Sequence, residues 1–254
     1  VVYKAHPYQW PTIGLDLDHV REASMDDVKH FFHTWYRPNN AILSLSGGIT
    51  TERARELAEK WFGDIPAGDA INKHIPMEPE QTEARFARIE ADVPINLVFK
   101  VYHMDGRTGD QYYTQNLISD VLGQGESSRL YQSLKMEQKL FTDVSAFVSG
   151  SIDTGMFVVS GRLAEGVSYE EGDKAMVAEL ERLKAEPASS RELQRVQNMV
   201  VTDLAGSYTN TLNKAQGLAM AEMLGDADLV NTEAEQYLSV TEADLDREAK
   251  RLFK

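Results

Sequence analysis

The side chains best suited to metal or acid–base chemistry in this chain are its six histidines, at positions 6, 19, 30, 33, 74 and 103. A helical zinc hydrolase site needs two histidines about one turn apart with a glutamate between them. The two imidazoles then reach the metal from one face, and the carboxylate activates the bound water. Neither His-Glu-x-x-His nor the inverted His-x-x-Glu-His occurs, and His19-Val-Arg-Glu-Ala23 lacks the second histidine. The sequence therefore predicts no catalytic residue and no metal site in this chain.

Two other groups of polar residues have simpler interpretations. His30 and His33 lie three residues apart on a predicted helix and point away from its apolar stripe. That arrangement is typical of a solvated face, with a two-ligand surface site as the alternative. Ser127, Ser128 and Ser133 have no nearby histidine to act as a base, so we expect no serine nucleophile.

Composition narrows the function classes further. The chain has no cysteine, which excludes disulfides and thiolate metal sites and is compatible with the periplasm or the cytosol. Its formal net charge of −14 repels phosphate backbones, so we expect no nucleic-acid partner. No apolar run approaches the roughly 20 residues of a membrane-spanning helix, so we expect no membrane insertion. The chain opens on Val1 rather than Met, and we expect a mature or excised segment.

The first quarter of the chain predicts two amphipathic helices separated by a strand. Ser24-Met-Asp-Asp27 has the form of a capping box, and apolar residues at helical spacing follow it. Residues 41–46 are an apolar run before a Gly-Gly pair, which predicts a short buried strand. A second helix is predicted to begin at Thr50 or Thr51 and to end at Gly63.

A linker and a second domain follow. Residues 64–83 contain three prolines and one glycine without any apolar period, so we place a domain boundary there. The predicted domains are residues 1–75 and 76–254. Beyond the boundary, alternation predicts strands at 85–91, 95–104, 141–149 and 156–163. Helical spacing predicts helices at 112–122, from Ser168 to 183, from Ser190 onward, and at 211–224, 228–238 and 242–253.

Two glycines interrupt the chain after the 112–122 helix. Beyond Gly123-Gln-Gly125, the hydroxyl of Ser127 or Ser128 can cap the first turn of a short helix. Asp153-Thr-Gly155 separates the next two strands, so they form a hairpin with a loop longer than two residues.

One pattern occurs twice. The stretch that starts at Ser24 and the stretch that starts at Thr241, 217 positions later, each begin with a hydroxyl residue and an acid within three residues. Apolar residues then follow at matching positions. Chance convergence of two capped helices is one explanation. The other is a domain of about this length that occurs twice, with this chain holding the end of one copy and most of the next.

Several short motifs, in their order and spacing, resemble the pitrilysin/insulinase family of zinc metallopeptidases, which includes the mitochondrial processing peptidases. They are His6-Pro-Tyr8, Tyr36-Arg-Pro-Asn-Asn40, Gly47-Gly48, Trp61-Phe-Gly-Asp-Ile-Pro66, Ser128-Arg-Leu-Tyr131 and the helix after Thr241. The resemblance covers nearly the whole chain and implies tandem α/β domains. In such proteins the zinc ligands lie in the first domain, upstream of the segment that matches His6-Pro-Tyr8. The following domain lacks the metal and closes over the substrate.

The resemblance also marks a degenerate substrate-binding motif. The partner domain of such proteins usually reads Leu-Arg-x-x-x-Gly-Leu-x-Tyr, where this chain has Leu134-Lys-Met-Glu-Gln-Lys-Leu-Phe-Thr142. Lys135 takes the arginine position, Lys139 the glycine position and Thr142 the tyrosine position. Lysine lacks the bidentate fork and threonine lacks the phenol, so direct assistance to catalysis is not expected. Lys135 and Thr142 remain candidate substrate-binding residues, as in the inactive second domain of a longer, four-domain bacterial member.

Together these features predict an α/β (α+β) two-layer sandwich, with a mostly antiparallel sheet packed by helices. Residues 1–75 would be the end of a first metallopeptidase-like domain, and 76–254 a second, non-catalytic one without its last strand and helix. The predicted function is the substrate-chamber segment of a zinc metalloendopeptidase that degrades or processes peptides, inactive by itself. Zinc is expected only in the upstream catalytic domain of the parent protein. That domain and peptide substrates are the expected partners.

Two alternatives remain open at this level. One is a structural or assembly subunit of the same fold without proteolysis, and the other is a free-standing peptide-binding module. The compartment is not fixed by the sequence, although the bacterial periplasm is favoured over the cytoplasm.

Overall fold

The computed structural model describes residues 1–71 and 73–254. The described helices and strands are, in chain order, α1 Asp18–Glu22, α2 Met25–Trp35, α3 Thr51–Phe62, β1 Leu97–Met104, α4 Tyr112–Gly123, β2 Phe141–Ser149, β3 Gly155–Leu163, α5 Tyr169–Ala185, α6 Ser190–Ser207, α7 Thr211–Met223, α8 Leu229–Ser239 and α9 Glu242–Leu252. Short 3-10 turns occur at Pro7–Gln9 and Pro38–Asn40, and a π-helical segment at Tyr131–Glu137. The predicted class, helices packed with a small antiparallel sheet, is confirmed.

The described residues divide into two compact units. The sheet unit consists of Val1–Val2, Glu80–Leu204 and Thr232–Lys254, and the N-terminal unit consists of Tyr3–Pro79 and Ala205–Asn231. Residues 205–231 therefore group with the first part of the chain. The predicted domains, 1–75 and 76–254, stay a prediction, because compactness does not show which segments are copies of one another.

Three antiparallel strands form the sheet, in the order β1-β3-β2. Val158 of β3 lies opposite Val101 of β1 and opposite Phe147 of β2, which fixes the register. β2 and β3 are the predicted hairpin, joined by a loop of several residues, and β1 lies within the predicted strand at 95–104. These strand predictions are confirmed.

The core of the sheet unit lies between one face of the sheet and the helices α4, α5, α6 and α9. Its fully buried side chains come from α4, β3, α5, α6 and α9 and include Leu117, Phe157, Met176, Val196 and Leu245. The ring of Phe253, just after α9, lies 5.1 Å from that of Tyr102 and 5.2 Å from that of Phe157, both edge-on. The last helix of the chain is therefore part of this core.

Gly123 is the last residue of α4 and lies directly against β2. A Cβ atom at this position would collide with the backbone nitrogen of Ala146 in β2. Any other residue would push α4 off the strand, so packing requires the first glycine of Gly123-Gln-Gly125, whereas the second, with a φ of +78°, serves the turn.

In the N-terminal unit, the predicted helices are present but bury little. The Ser24 hydroxyl accepts a hydrogen bond from the Asp27 N–H at 3.2 Å, and the Ser24 N–H donates to the Asp27 carboxylate at 2.9 Å. This confirms the capping box. No residue of α2 or α3 is buried, and Phe31, Trp61 and Phe62 are more than half exposed. Most of the apolar surface of these helices is thus without a partner among the described residues.

A single carboxylate holds the beginning of the N-terminal unit. Glu78 accepts hydrogen bonds from three successive backbone N–H groups, those of Lys4 at 2.8 Å and of Ala5 and His6 at 2.9 Å. Such a concave run of amides is a natural site for a negative charge. The end of the predicted linker is therefore bound to the first residues of the chain.

Two predicted strands are wrong. Residues 41–46 and 85–91 form no strand, since the ladders in the described part of the chain join only β1, β3 and β2. A strand exists only where a neighbour completes its hydrogen bonds, and apolar alternation does not supply that neighbour.

Two predicted serine caps also need correction. Ser128 does not cap the segment that follows it, because its hydroxyl is buried without a hydrogen-bond partner in the described residues. The cap of α6 is Ser189 rather than Ser190. Ser189 exchanges hydrogen bonds with Glu192, which stands three residues on and completes a capping box. The remaining helices agree with prediction to within a few residues at their ends.

Candidate functional site

The two predicted substrate-binding residues lie on different elements. Lys135 belongs to the π-helical segment, and its ammonium lies 4.6 Å from the centre of the Tyr131 ring in a cation–π contact. Thr142 lies near the start of β2 and donates a hydrogen bond to the Arg162 carbonyl at 3.3 Å. Each side chain thus has its own local partner. A role for either in binding substrate stays a prediction.

Lys139, at the glycine position of the same motif, has a φ of +56°. This left-handed conformation is easy for glycine and costs a residue with a Cβ about 1–2 kcal/mol. The backbone therefore keeps the turn that glycine usually serves, although the side chain has changed. The turn brings the chain from the π-helical segment into β2.

The face of the sheet away from the helices is the main candidate surface. Paired residues on adjacent strands share a face, so the register arranges this face in rows of three, one residue from each strand. From one end to the other the rows are Leu97, Arg162, Asp143; Phe99, Ser160, Ser145; Val101, Val158, Phe147; and His103, Met156, Ser149.

This open face combines exposed apolar groups with hydroxyls. Leu97 is 46%, Phe99 59% and Phe147 47% exposed, whereas Val98, on the opposite face of β1, is 9% exposed. The hydroxyls of Ser145 and Ser160 lie 3.1 Å apart in the middle of the face. Such a surface can bind an extended chain through apolar contacts and neutral hydrogen bonds.

A charged network next to the end of β1 fixes the sheet against two helices. Glu248 of α9 is buried and accepts from Gln115 of α4 at 2.6 Å and from Arg251 at 2.8 Å. The Arg251 guanidinium also donates to Asp105, just after β1, at 2.8 Å. The hydrogen bond to Glu248 is the main reason that the pKa of Arg251 is raised. The network thus ties the end of β1 to α4 and α9.

The histidines do not come together. His19, His30 and His33 are exposed, and His6 is buried with its Nδ1 accepting from the Tyr8 N–H at 3.1 Å. Among residues 1–71 and 73–254, no three His, Cys, Asp or Glu side chains are grouped so that they could hold a metal ion. The donor groups of the described chain thus do not fit a catalytic zinc. No helix in these residues is both long and apolar enough to cross a membrane.

The comparison with protein families identifies the fold. Residues 22–200 match the family described as "Peptidase M16 inactive domain". The chain belongs to this family. The match confirms the resemblance to zinc metallopeptidases and assigns the chain to a non-catalytic part of such proteins.

Individual relatives agree. The chain is 27% identical to the zinc protease PqqE of Helicobacter pylori over 255 residues, which is 99% of this chain and 57% of that protein. A crystal structure of a protease from Helicobacter pylori is similar with a TM-score of 0.90 and 26% identity, over 100% of this chain and 62% of the other. A peptidase M16 inactive domain from Pseudomonas fluorescens shares the fold, with a TM-score of 0.86 at 18% identity over 99% of this chain and 59% of the other. The chain thus spans little more than half of the relatives that it matches.

Sequence reasoning did not find the open face. The alternating residues of β1, β2 and β3 are visible in the sequence. The sequence does not show which of the two alternating sets of side chains faces the helices and which faces away. The charged residue of β1 points to the wrong set: Lys100 lies on the helical side, where it pairs with Asp173 of α5 at 2.6 Å.

Proposed function

We propose that this chain is the non-catalytic part of a zinc metalloendopeptidase, and that the open face of its sheet forms one wall of the chamber that encloses a peptide. The observation that carries the proposal is the exposure of Phe99 and Phe147 around the Ser145–Ser160 pair on a face without helices. The family match and the relatives named zinc proteases support it. Zinc, and the groups that activate water, belong to an upstream catalytic domain of the parent protein.

The unpartnered surface of α2 and α3 supports the upstream domain as a partner. The apolar side chains along one side of these helices are half exposed in the described residues, as Val28, Phe32 and Trp61 illustrate. Burial of such a stripe is what normally stabilises an amphipathic helix. The preceding part of the parent protein is therefore proposed to cover it. Location in a bacterial periplasm stays a prediction.

The test combines this chain with the separately expressed upstream part of its parent protein. Hydrolysis of an unstructured fluorogenic peptide is expected from the mixture and not from this chain alone. Phe99→Ser and Phe147→Ser together should raise KM at least about threefold, because each removes apolar contact with substrate. Phe86→Ser is the matched control, since Phe86 is 90% exposed and lies outside the sheet.

Two results would count against the proposal. If the folded halves associate and cleave nothing, the chain is an assembly subunit instead. If the double variant and the control have the same KM, the open face does not contact substrate. Lys135→Ala and Thr142→Ala in the same assay test the two residues predicted from the degenerate motif.

A further inference from the structure

A second surface of the sheet unit has the features of a binding site, on the helical side rather than on the open face. It is a cavity of about 280 Å³, bordered by residues 127–137, the end of α5 and the start of α6. Its lining is polar and charged and includes Ser128, Arg129, Glu137, Arg182, Glu186 and Glu192. The proposed chamber wall does not use it, and of the degenerate motif only Glu137, at a position the motif leaves open, lines it.

The two arginines of this cavity are already paired with carboxylates. Arg129 donates to both oxygens of Glu192, at 2.7 and 3.0 Å, and Arg182 donates twice to Glu179, at 2.7 and 3.0 Å. Burial raises the pKa of Glu192, but the hydrogen bonds from Arg129 and Ser189 outweigh it and lower the pKa to about 2. Both carboxylates therefore neutralise their arginines, and neither guanidinium offers a free charge to an anion.

Once these two ion pairs are set aside, the cavity carries net negative charge and one hydroxyl without a hydrogen-bond partner in the described residues. Glu137 and Glu186 are exposed, and no hydrogen bond or ion pair of the described residues engages either carboxylate. Ser128 is fully buried, and its hydroxyl has no hydrogen-bond partner in the described chain. A buried hydroxyl without a partner costs free energy unless something accepts from it or donates to it. Two free carboxylates and this hydroxyl together point to a ligand that donates hydrogen bonds and carries positive charge.

We propose that this cavity binds one organic cation, the ammonium or guanidinium group of a lysine or arginine side chain in a peptide or protein. Such a group brings several donors to Glu137, Glu186 and the Ser128 hydroxyl, and its charge offsets the two carboxylates. A bare metal ion fits less well, since no metal-binding group of three acidic or histidine side chains occurs in the described residues. The net charge of −14 adds a long-range attraction for basic partners.

The experiment titrates L-argininamide into this chain at low salt, with amide chemical shifts as the readout. Shifts confined to residues 127–137 and 182–192 are expected, with millimolar affinity that weakens as salt is added. Glu137→Gln with Glu186→Gln should weaken binding at least about tenfold, because it removes both free charges. Glu165→Gln with Glu235→Gln, two exposed acids elsewhere in the sheet unit, is the matched control for net charge and should leave binding within about twofold.

The Ser128→Ala variant separates this site from general attraction to an acidic protein. It should weaken argininamide binding severalfold without lowering the melting temperature, since the lost hydroxyl has no partner in the free chain. Shifts that are absent, spread over the whole chain, or reduced equally by both double variants would overturn the proposal. Binding of calcium or magnesium alone at the same residues, without any response to argininamide, would overturn it as well.

Discussion

Helices α2 and α9 carry the same sequence pattern and the same type of cap, and they lie in opposite surroundings. Ser24 with Asp27, and Thr241 with Asp244, form capping boxes of the same geometry. α2 buries none of its residues, whereas α9 buries Leu245, Glu248, Ala249 and Leu252. Val28 and Leu245 occupy the same position of the pattern, yet they are 54% and 2% exposed.

The comparison separates what a helix needs to begin from what it needs to be stable in a fold. The cap satisfies orphan N–H groups within one turn of chain, so both copies form it. Burial depends on elements far away in sequence, such as β1 and α4, against which α9 packs. The chain supplies those elements for α9, and the described residues supply none for α2.

The largest expected effect contrasts the two matched apolar positions. Leu245→Ala should lower the free energy of unfolding of the sheet unit by about 2–5 kcal/mol, because it leaves a cavity in a packed core. Val28→Ala should cost no more than about 0.5 kcal/mol, as for other exposed positions. Urea unfolding followed by circular dichroism measures both. If Val28→Ala lowered the free energy of unfolding as much as Leu245→Ala, Val28 would be buried against a partner and α2 and α9 would not differ in this respect.

A second prediction concerns Asp120 of α4, the helix against which α9 packs. Burial is the main cause that raises its pKa to about 7, opposed by Arg195 and reinforced by Asp203. Since this folded pKa lies above the unfolded value of 3.8, stability should decrease as the pH rises from 4 toward 8.

Asp120→Asn should therefore stabilise the chain at pH 8, on the order of 2 kcal/mol, and make little difference at pH 4. Melting temperatures across this range provide the measurement. A benefit that is constant with pH would mean that the carboxyl does not titrate there. Asp27, at the exposed start of α2, serves as the contrast, because hydrogen bonds with Ser24 lower its pKa.

The caps should have smaller effects. Thr241→Ala should cost about 1 kcal/mol of sheet-unit stability, because α9 is part of that core. Ser24→Ala should instead reduce the protection of amides in the first turn of α2, and leave the unfolding midpoint of the sheet unit unchanged. Hydrogen exchange together with urea unfolding distinguishes the two outcomes. An equal shift of the midpoint by both variants would contradict the comparison.

The smallest expected effect is a gain. Lys139→Gly should stabilise the sheet unit by about 0.5 kcal/mol, since relief of the left-handed backbone is partly offset by the greater freedom of glycine in the unfolded chain. Glu137→Gly, in the helical conformation two residues earlier, should be destabilising. Urea unfolding measures both variants. If Lys139→Gly and Glu137→Gly change the free energy of unfolding in the same direction, the left-handed backbone at Lys139 does not determine its effect.

Sequence reasoning succeeded where the decisive interactions are local. Capped helices and the hairpin depend on residues within a few positions of each other. It failed at residues 41–46 and 85–91, because a strand depends on a neighbour that local sequence cannot specify. The candidate surfaces were missed for a related reason: Phe99, Phe147 and Ser128 become significant only through register and burial, which the whole fold decides.

The hydrogen bonds from three successive backbone N–H groups to Glu78 have an evolutionary consequence. The Glu78 carboxylate accepts from main-chain N–H groups, which every residue except proline possesses. The side chains at positions 4 and 5 can therefore change during evolution without loss of these hydrogen bonds. All of that freedom rests on one acidic residue. In saturation mutagenesis, positions 4 and 5 should accordingly accept most substitutions, whereas Glu78 should accept few.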